Sequence, residues 1–370
     1  MASPVHRVTV RGRSWWVKRD DLLRLARSGI SGNKARKLMV INDKDGGGKK
    51  VWGSFGGFQS NAMVALSAVA QSQGAQLLYF TKDIPARLRK APSGNYKSAL
   101  DLGTNIVVLG REAFAEAFPA NLVPAQTPPP PRELGLPADA YWIPQGGSAA
   151  EAEVHTHAIH TQYTRTHPPH THTHTWTHIQ VGLTTLADEI VDFWAQQEAS
   201  PRPTVILPAG TGTTALFLAR HLQPRGVDVA AVPCVGDAGY LAAQMSALDR
   251  VSGARRVFPR FLVEPPPGSH HRHHRFGAPL ACEGAVWREL RGEGLPIDLV
   301  YAPHAWGTAL DCLAAGTGEW CDSPLMYLHC GGLEGVETML DRYRHLGIEL
   351  EGEAPAGVER LGICGSTQCE

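Results

Sequence analysis

The chain has 370 residues, of which 43% are hydrophobic and 19% charged, and its 35 basic residues balance its 35 acidic residues. This composition is typical of a soluble globular protein with one large or two ordinary domains. A net charge of zero argues against nucleic acid or a membrane surface as the main partner, and no run of about 18 apolar residues suggests a membrane span.

Short apolar segments alternate with helical patterns along the chain, which predicts an α/β fold with a mainly parallel sheet. The predicted strands are Trp15–Lys18, Lys50–Ser54, Gln76–Phe80, Asn105–Leu109, Ala140–Ile143, Thr204–Pro208, Asp228–Val232, Leu299–Tyr301 and Leu325–Leu328. The predicted helices are a short one at Lys34, then Gln59–Gln73, Leu183–Gln197, Thr213–Leu222, Ala281–Arg291 and Gly335–Leu346.

One segment, Val154–Gln180, alternates histidine with threonine and offers no apolar face for a core. It is either a histidine-rich metal tract, in a protein that binds metal rather than catalyses, or a low-complexity insertion without fixed structure. We favour the insertion, because an in-frame repeat of C and A translates as His-Thr. Without it, Gly147–Glu153 would continue into Val181–Ile190 as one helix. We treat His270–His274 similarly, as an exposed basic loop, and predict no metal ligands.

Residues 29–38, GISGNKARKL, place Lys34 where a tight turn leads into a helix, with Arg36 and Lys37 just after it. Positive charge at a helix start opposes the helix dipole. The alternatives are an ordinary solvated lysine and a lysine with a chemical role.

The segment Leu207–Ala215, LPAGTGTTA, follows an apolar strand and precedes a helix. Gly210 and Gly212 allow backbone N–H groups to converge, and Thr211, Thr213 and Thr214 add hydroxyl donors. Such a turn at a helix start suits a single phosphate group. It lacks the lysine of a nucleotide P-loop, and a routine strand–helix turn is the alternative.

Two further strand ends carry polar groups. In Gly53–Ala62, GSFGGFQSNA, two glycines precede Gln59, Ser60 and Asn61. Helix capping needs only one of these three, so we predict that they bind a ligand. In Tyr327–Gly335, Cys330 ends a strand and two glycines follow; ligands bind at such strand ends, and a structural cysteine in a turn is the alternative.

Taken together, a lysine, a phosphate-binding turn, a polar helix start and a small polar side chain predict a site for pyridoxal 5′-phosphate (PLP). The lysine amine would form a Schiff base with the cofactor aldehyde, and the turn would hold the phosphate. Lys34 would then be covalently occupied, and the positive charge of its neighbours would help to keep its amine nucleophilic.

The motifs KRDDL…GNKARKL, GSFGGFQSNA, IPQGGS (Ile143–Ser148), GTGTT and YLHCGG resemble, in order, those of the D-cysteine desulfhydrase and 1-aminocyclopropane-1-carboxylate (ACC) deaminase family. The resemblance implies the tryptophan synthase β-like fold of fold-type II PLP enzymes, with two three-layer αβα domains and the cofactor in the cleft between them. Residues 1–43 and 181–370 would form the large domain, residues 44–147 the small one, and 148–180 a helix start followed by the insertion.

The resemblance also implies a role for each candidate residue. Lys34 would be the Schiff-base lysine and the base that moves the α-proton, with Ser60 and Tyr301 assisting at the reacting centre. Asn61 would bind the cofactor's 3′-oxygen, Cys330 would face the pyridine nitrogen, and Gly210–Thr214 would hold the phosphate. The residues expected to bind the substrate are Gln59, Ser60, Asn61 and Tyr301.

Several positions depart from the family pattern. Ala62 replaces a histidine, Phe276 replaces a second tyrosine, and Ala302 stands where ACC deaminases carry a glutamate after Tyr301. We therefore expect a D-cysteine desulfhydrase, with ACC deaminase as the alternative and a PLP-binding pseudoenzyme as a third possibility. We expect a homodimer, in keeping with the family, and a small amino acid as substrate.

The seven cysteines show no Cys-x-x-Cys spacing, so we expect reduced thiols. The first residues, MASPVHRVTVRGRS, contain no apolar core of a secretory signal. Both features favour a cytoplasmic protein. Import into an organelle stays open, because the family's N-terminal Pro-Thr-Pro-Leu segment is missing.

Overall fold

A computed structural model of the chain describes residues 2–43, 49–119, 134–143, 145, 174–197 and 201–350. The strands are β1 (Val5–Val10), β2 (Arg13–Arg19), β3 (Val51–Phe55), β4 (Gln76–Thr81), β5 (Asn105–Val108), β6 (Tyr141–Trp142), β7 (Thr204–Ala209), β8 (Asp228–Pro233), β9 (Phe261–Leu262) and β10 (Leu325–His329). The helices are α1 (Gly32–Asp43), α2 (Asn61–Ser72), α3 (Ala86–Lys90), α4 (Gly94–Asp101), α5 (Arg111–Ala117), α6 (His174–Ala195), α7 (Thr213–Leu222), α8 (Ala238–Val251), α9 (Ala281–Gly292), α10 (Ala302–Ala315) and α11 (Val336–His345).

The larger sheet has the strand order β1-β2-β10-β7-β8-β9. β1 is antiparallel to β2, and the other neighbours are parallel. Its side chains alternate between two faces, as the period of a strand requires. Leu325 and Tyr327 pack with α9 and α10, whereas Met326 and Leu328 pack with α6, α7 and α8. The larger sheet is therefore the middle of three layers.

The smaller sheet has the strand order β5-β4-β3-β6, and all its pairs are parallel. Leu77 and Tyr79 of β4 pack in one core with residues of α1 and α2, while Leu78 and Phe80 pack in a second core with Phe118. Both faces are covered here as well. The predicted α/β class with parallel sheets is confirmed.

Each sheet is built from its own stretch of chain. The smaller sheet uses strands between Val51 and Trp142, and the larger sheet uses strands before and after that stretch. Helix α1 precedes the smaller sheet in sequence, yet its Ala35, Leu38 and Ile41 belong to that sheet's core. The boundaries at 44–147 and 181–370 stay predictions, and residues 146–173 lie outside the described part of the chain.

One predicted strand, Leu299–Tyr301, is wrong. The segment is a turn, because the buried carboxylate of Asp298 accepts hydrogen bonds from the backbone N–H groups of Val300, Tyr301 and Ala302 at 2.7, 2.6 and 3.2 Å. Ala302 is the first residue of α10, and the first N–H groups of a helix have no partner within it, so a carboxylate just before the helix satisfies them well. Tyr301 therefore stands at a helix start instead of within a sheet.

Part of the histidine tract is also placed differently from the prediction. Helix α6 begins at His174, so the last seven residues of the tract, 174–180, continue the helix that we expected to start at Leu183. The rest of the tract, residues 154–173, and the predicted join through Gly147–Glu153 fall outside the described residues.

Five cysteines lie in the described residues, and none of them is in a disulfide. Three of them, Cys234, Cys312 and Cys321, are buried. Among the helices described, no helix combines the length and the apolar character that crossing a membrane would require.

A buried ion network fastens α1 to the larger sheet and to α6. Arg36 donates to Asp20 at 2.9 Å and to Glu189 at 2.7 Å, and Lys18 of β2 lies 2.5 Å from Glu189. Burial alone would raise the pKa of Glu189, but hydrogen bonds from Arg36 and Lys18 outweigh it and hold that pKa below its ordinary value. The network fixes the orientation of α1, because a buried charge that loses its partner is costly.

Replacing Glu189 should therefore destabilise the fold strongly. Glu189→Ala leaves Lys18 and Arg36 with too little opposing charge, and we expect a loss of about 3–5 kcal/mol in the free energy of unfolding. Its neighbour Asp188 provides a matched control, since its ion pair with Arg225 is half exposed and Asp188→Ala should cost less than about 1 kcal/mol. Urea denaturation of both variants measures the difference, and equal losses would contradict the role given to the network.

Candidate active site

The first turn of α1 is joined to the end of β10. The backbone N–H of Asn33 donates to the carbonyl of Cys330 at 2.9 Å. Gly32 has a φ of +70°, and a Cβ at this position would lie 2.4 Å from the same carbonyl oxygen. Only glycine permits both the backbone conformation and the close approach. This junction places Lys34 beside Cys330.

Lys34 and Lys37 share one face of α1, since they are three residues apart. Lys37 is 5% exposed, and Lys34 is partly buried. Among the residues that the structure describes, neither lysine pairs with an acidic side chain. Arg36, in contrast, is engaged with Asp20 and Glu189. Of the two cations after Lys34, only Lys37 therefore belongs to the site.

Burial depresses the basicity of both lysines. It lowers the pKa of Lys34, against a weaker opposing effect of Cys330. Burial, followed by repulsion from Lys34, lowers the pKa of Lys37 to about 7. A lysine with a lowered pKa has a larger fraction of neutral amine, which is the nucleophilic form. The pair thus combines a reactive amine with an unpaired positive charge that favours an anion.

Cys330 ends β10 as a neutral thiol. Burial, with the nearby carboxylates of Asp20 and Asp298, raises its pKa to about 12. The two glycines that follow, Gly331 and Gly332, have φ angles of +83° and +91°. Buried His329 stabilises this turn, because its Nδ1 accepts from the N–H of Gly331 at 3.1 Å while its Nε2 donates to the carbonyl of Pro296 at 2.6 Å.

The turn between β7 and α7 lies at the same edge of the larger sheet, next to the end of β10. Gly212 is left-handed, with φ +77°, and packs against Met245 and Leu241 of α8. The hydroxyls of Thr211 and Thr213 lie 3.1 Å apart. The first N–H groups of α7 have no partner within the helix, so this turn can bind an anion.

The smaller sheet contributes the start of α2. Ser60 caps this helix, with its hydroxyl accepting from the N–H of Ala62 at 3.1 Å. The amide oxygen of Asn61 accepts from Asn95 at 2.6 Å. This contact directs the amide's N–H₂ group elsewhere, and that group lies 2.8 Å from where a Cβ on Gly332 would stand. Asn61 therefore offers a donor beside the end of β10.

Gln59 is held by the start of α4. Its amide donates to the carbonyl of Ser93 and accepts from the N–H of Tyr96, both at 3.3 Å. Both polar ends of the side chain thus join α2 to α4 in this conformation. Its expected part in substrate binding stays a prediction.

Tyr301 lies against the turn between β7 and α7. A Cβ on Gly210 would lie 3.5 Å from the Tyr301 ring and 3.7 Å from its hydroxyl. The ring of Phe276 lies 5.1 Å from that of Tyr301, although Phe276 itself is half exposed. Burial raises the pKa of Tyr301 above its ordinary value, so the phenol stays protonated and can donate a hydrogen bond.

The sequence-predicted site residues thus fall on neighbouring elements. Lys34 and Cys330 meet through the α1–β10 junction, Asn61 faces Gly332, and Tyr301 lies against Gly210. The sequence analysis did not assign site roles to Lys37, Asn95, Asp298 and His329. Lys37 could have been found by its spacing of three from Lys34. Asp298 could have been found as an aspartate just before a helix start, because it binds N–H groups two to four residues later. Asn95 and His329 contact Asn61 and Pro296, which are 34 and 33 residues away, and such contacts leave no local pattern.

Comparison with solved structures places this arrangement in a known fold. An ACC deaminase homologue matches with a TM-score of 0.62 at 18% identity, over 92% of this chain and 94% of that one. A hydrogen sulfide-producing enzyme from Fusobacterium nucleatum matches with a TM-score of 0.55 at 12% identity, over 90% and 96%. A fungal L-serine ammonia-lyase from Rhizomucor miehei matches with a TM-score of 0.53 at 14% identity, over 93% and 98%.

At these identities the likeness shows the fold alone. The chain has the tryptophan synthase β-like fold, which is the fold of fold-type II PLP enzymes. No protein-family model matches the sequence, and no curated protein matches it either. The activity must therefore be argued from the site's own residues.

Removing the positive charge at position 37 should stabilise the protein when it is free of ligands. The pKa of Lys37 is about 7 in the fold and 10.5 in the unfolded chain, so its charge opposes folding most below pH 7 and ceases to do so as pH approaches 10.5. Each pKa unit is worth about 1.4 kcal/mol, so Lys37→Met should gain a few kcal/mol at neutral pH. Urea titrations at pH 7 and at pH 10 measure the gain.

The matched control is Lys97→Met, because Lys97 is exposed and pairs with Asp101 in the next turn. We expect a change of less than about 0.5 kcal/mol from that variant. A gain for Lys37→Met that is equally large at both pH values would contradict the electrostatic explanation.

Proposed function

We propose that the protein is a PLP-dependent lyase that deaminates a small amino acid. The observation that carries the proposal is that the partly buried Lys34 and the buried Lys37 have no acidic partners among the described residues. Both lie at a sheet edge that also presents a turn able to bind an anion. Buried positive charge without a counterion favours a ligand that brings negative charge. A phosphorylated aldehyde supplies both the anion and a carbon for the amine.

The residues present fit this cofactor. Lys34 would bind its aldehyde, and Gly210–Thr214 would hold its phosphate. Lys37, on the same face of α1, supplies a positive charge to the cofactor's anionic groups. The N–H₂ group of Asn61, whose amide oxygen accepts from Asn95, would donate to the 3′-oxygen. Cys330, a neutral thiol, suits a pyridine nitrogen that stays largely unprotonated.

When bound, PLP would supply an electron-withdrawing system that stabilises negative charge at the substrate's α-carbon. The chain's own groups would handle the protons. Lys34 has a lowered pKa and would take the α-proton. The Ser60 hydroxyl, at the start of α2, and the Tyr301 phenol, which burial keeps protonated, would donate hydrogen bonds to the substrate.

Within this class we propose D-cysteine as the substrate, which with water gives pyruvate, ammonia and hydrogen sulfide. A thiol leaves readily, so the α-carbanion need not be long-lived, and a neutral partner on the pyridine nitrogen suffices. Opening a cyclopropane ring requires more polar assistance. Here the residue after Tyr301 is the buried Ala302, which has no acidic group to offer, and Phe276 brings a ring without a hydroxyl.

ACC deamination to 2-oxobutanoate and ammonia is the second candidate. The observation in its favour is the match to an ACC deaminase homologue, with a TM-score of 0.62. The hydrogen sulfide-producing enzyme and the L-serine ammonia-lyase match with lower TM-scores, 0.55 and 0.53. Both candidates use the same lysine and the same phosphate turn. They differ in the polar groups that must assist when the bond in the substrate breaks.

A paired assay distinguishes the candidates. The purified, PLP-loaded protein should release sulfide and pyruvate in equal amounts from D-cysteine, and it should release no 2-oxobutanoate from ACC. Lys34→Ala should abolish release, whereas Lys97→Ala, at an exposed lysine, should leave it unchanged. Release of 2-oxobutanoate alone would support the second candidate. A folded, PLP-loaded protein inactive on both substrates would point to a pseudoenzyme.

The charge at position 37 should strengthen cofactor binding. Lys37→Met removes it, and we expect the dissociation constant for PLP to rise by about tenfold or more, equivalent to about 1.4 kcal/mol. Fluorescence titration of the cofactor-free protein measures the constant, with Lys97→Met as the control. An unchanged constant would remove Lys37 from the site. The same substitution would then stabilise the free protein and weaken its cofactor complex, which a purely structural role does not predict.

A further inference from the structure

A second cluster of reactive side chains lies behind Tyr301, on the face of the larger sheet covered by α9 and α10. It consists of His271, Glu283 and His304, which are 5%, 2% and 3% exposed. They come from a short 3-10 turn (His270–His273), from α9 and from α10. One potential ligand atom from each lies within 4.8 Å of the others. The sequence analysis predicted an exposed loop at His270–His274. Exposure is confirmed for His270, Arg272 and His273, but the prediction is wrong for His271, which is buried.

The hydrogen bonds of His304 define which of its nitrogens is available. Its Nε2 lies 3.1 Å from the carbonyl of Pro233, which can only accept, so Nε2 carries the hydrogen. Its Nδ1 then bears a lone pair, and it has no hydrogen-bond partner among the described residues.

The lone pair of His304 is close to a negative charge. Nδ1 lies 3.7 Å from Oε1 of Glu283. Two acceptors that face each other in a buried place repel unless a proton or a cation lies between them. Metal-binding histidines commonly donate their second nitrogen to a backbone carbonyl, as His304 does to Pro233, since this contact fixes the ring.

His271 is held in a similar way by packing. Its ring lies so close to Gly307 of α10 that a Cβ there would be 2.1 Å from Nε2 and 2.2 Å from Cε1. Its Nδ1 is buried and has no hydrogen-bond partner among the described residues. Because Gly307 has no side chain, the His271 ring fits against it, and Nδ1 of that ring is buried without a hydrogen bond among the described residues.

Glu283 is oriented by a third histidine. Nδ1 of His274 lies 2.6 Å from Oε1 of Glu283, and Nε2 donates to the carbonyl of Cys234 at 3.0 Å. The His274 ring stacks on that of His304, with centroids 3.8 Å apart. These contacts hold the carboxylate beside the imidazoles of His271 and His304. Carboxylate oxygens have several lone pairs, so the contact with His274 leaves capacity for another bond.

We propose that His271, Glu283 and His304 form a buried site for a divalent transition-metal ion, with zinc as the metal that the ligands suit best. Two neutral imidazoles and one carboxylate are a common zinc ligand set, with bonds of about 2.0–2.2 Å. Ligand atoms within 4.8 Å of one another can reach one ion by small movements of the three side chains. An ion there would satisfy His304 Nδ1 and separate it from Glu283.

Such an ion would stabilise the wall of the active site. His304 lies three residues after Tyr301, in the first turn of α10, and His271 lies five residues before Phe276. The ring centroids of Tyr301 and Phe276 are 5.1 Å apart. The ion would therefore cross-link the two segments that carry these rings. Its part would be structural and positional, since none of its three ligands is among the residues proposed to touch the substrate.

Metal analysis of the full chain tests the site. Each protein is first saturated with zinc and then dialysed against a weak chelator. The wild type should retain about one more tightly bound zinc ion per chain than His271→Gln or His304→Gln. His273→Gln is the matched control, because His273 is exposed in the same 3-10 turn and should retain as much zinc as the wild type. The histidines of residues 154–180 are present in every variant and add the same amount of bound zinc to each. The test is therefore the difference in retained zinc between variants.

Cobalt provides a second test that needs no variant. Co²⁺ bound by two imidazoles and a carboxylate in a tetrahedral site gives visible bands at longer wavelengths than PLP absorbs, and zinc should displace it. Equal zinc retention by folded His271→Gln and His273→Gln would overturn the proposal. So would a wild-type protein that holds no tight zinc and shows no such cobalt bands. Neither measurement requires PLP or turnover, so a failure of the proposed activity would not imply a failure here.

Discussion

The structure depends on one contact between two distant segments, the hydrogen bond from the Asn33 N–H to the Cys330 carbonyl. It requires Gly32, because any side chain there would overlap the carbonyl oxygen. By joining the start of α1 to the end of β10, it places Lys34 and Lys37 at the sheet edge where a ligand would bind. Burial then lowers the pKa of both amines. The cost of that burial in the free protein is the reason to expect an anionic, amine-reactive ligand.

The local part of this design could be predicted from sequence. Lys34, the turn at Gly210–Thr214 and the end of β10 each consist of a few consecutive residues whose types reveal a strand, a glycine turn and a helix start. Their backbone geometry is encoded locally, so the order of motifs along the chain was enough to predict the parallel α/β fold. The comparisons confirm that fold, and they leave the substrate open.

The rest depends on hydrogen bonds and packing that the types of neighbouring residues do not reveal. Leu299–Tyr301 has the composition of a buried strand, but the Asp298 carboxylate binds three successive N–H groups and makes it a helix start. The run HHRHH is typical of an exposed loop, yet Gly307 in another helix leaves space for His271 to be buried. Asn95 orients Asn61 across 34 residues. No short window of sequence contains both partners of the contacts made by His271 and Asn95, whereas Asp298 lies only two to four residues before the N–H groups that it binds.

The proposed function requires a covalent bond between Lys34 and PLP. Reductive trapping tests for this bond most directly. Borohydride would fix the bond, and peptide mapping by mass spectrometry would locate the modified residue. We predict a single pyridoxyl adduct on Lys34 in the wild-type protein and its loss in Lys34→Ala, while Lys37 stays unmodified in both. An adduct on another lysine, or none in folded protein saturated with PLP, would contradict the account.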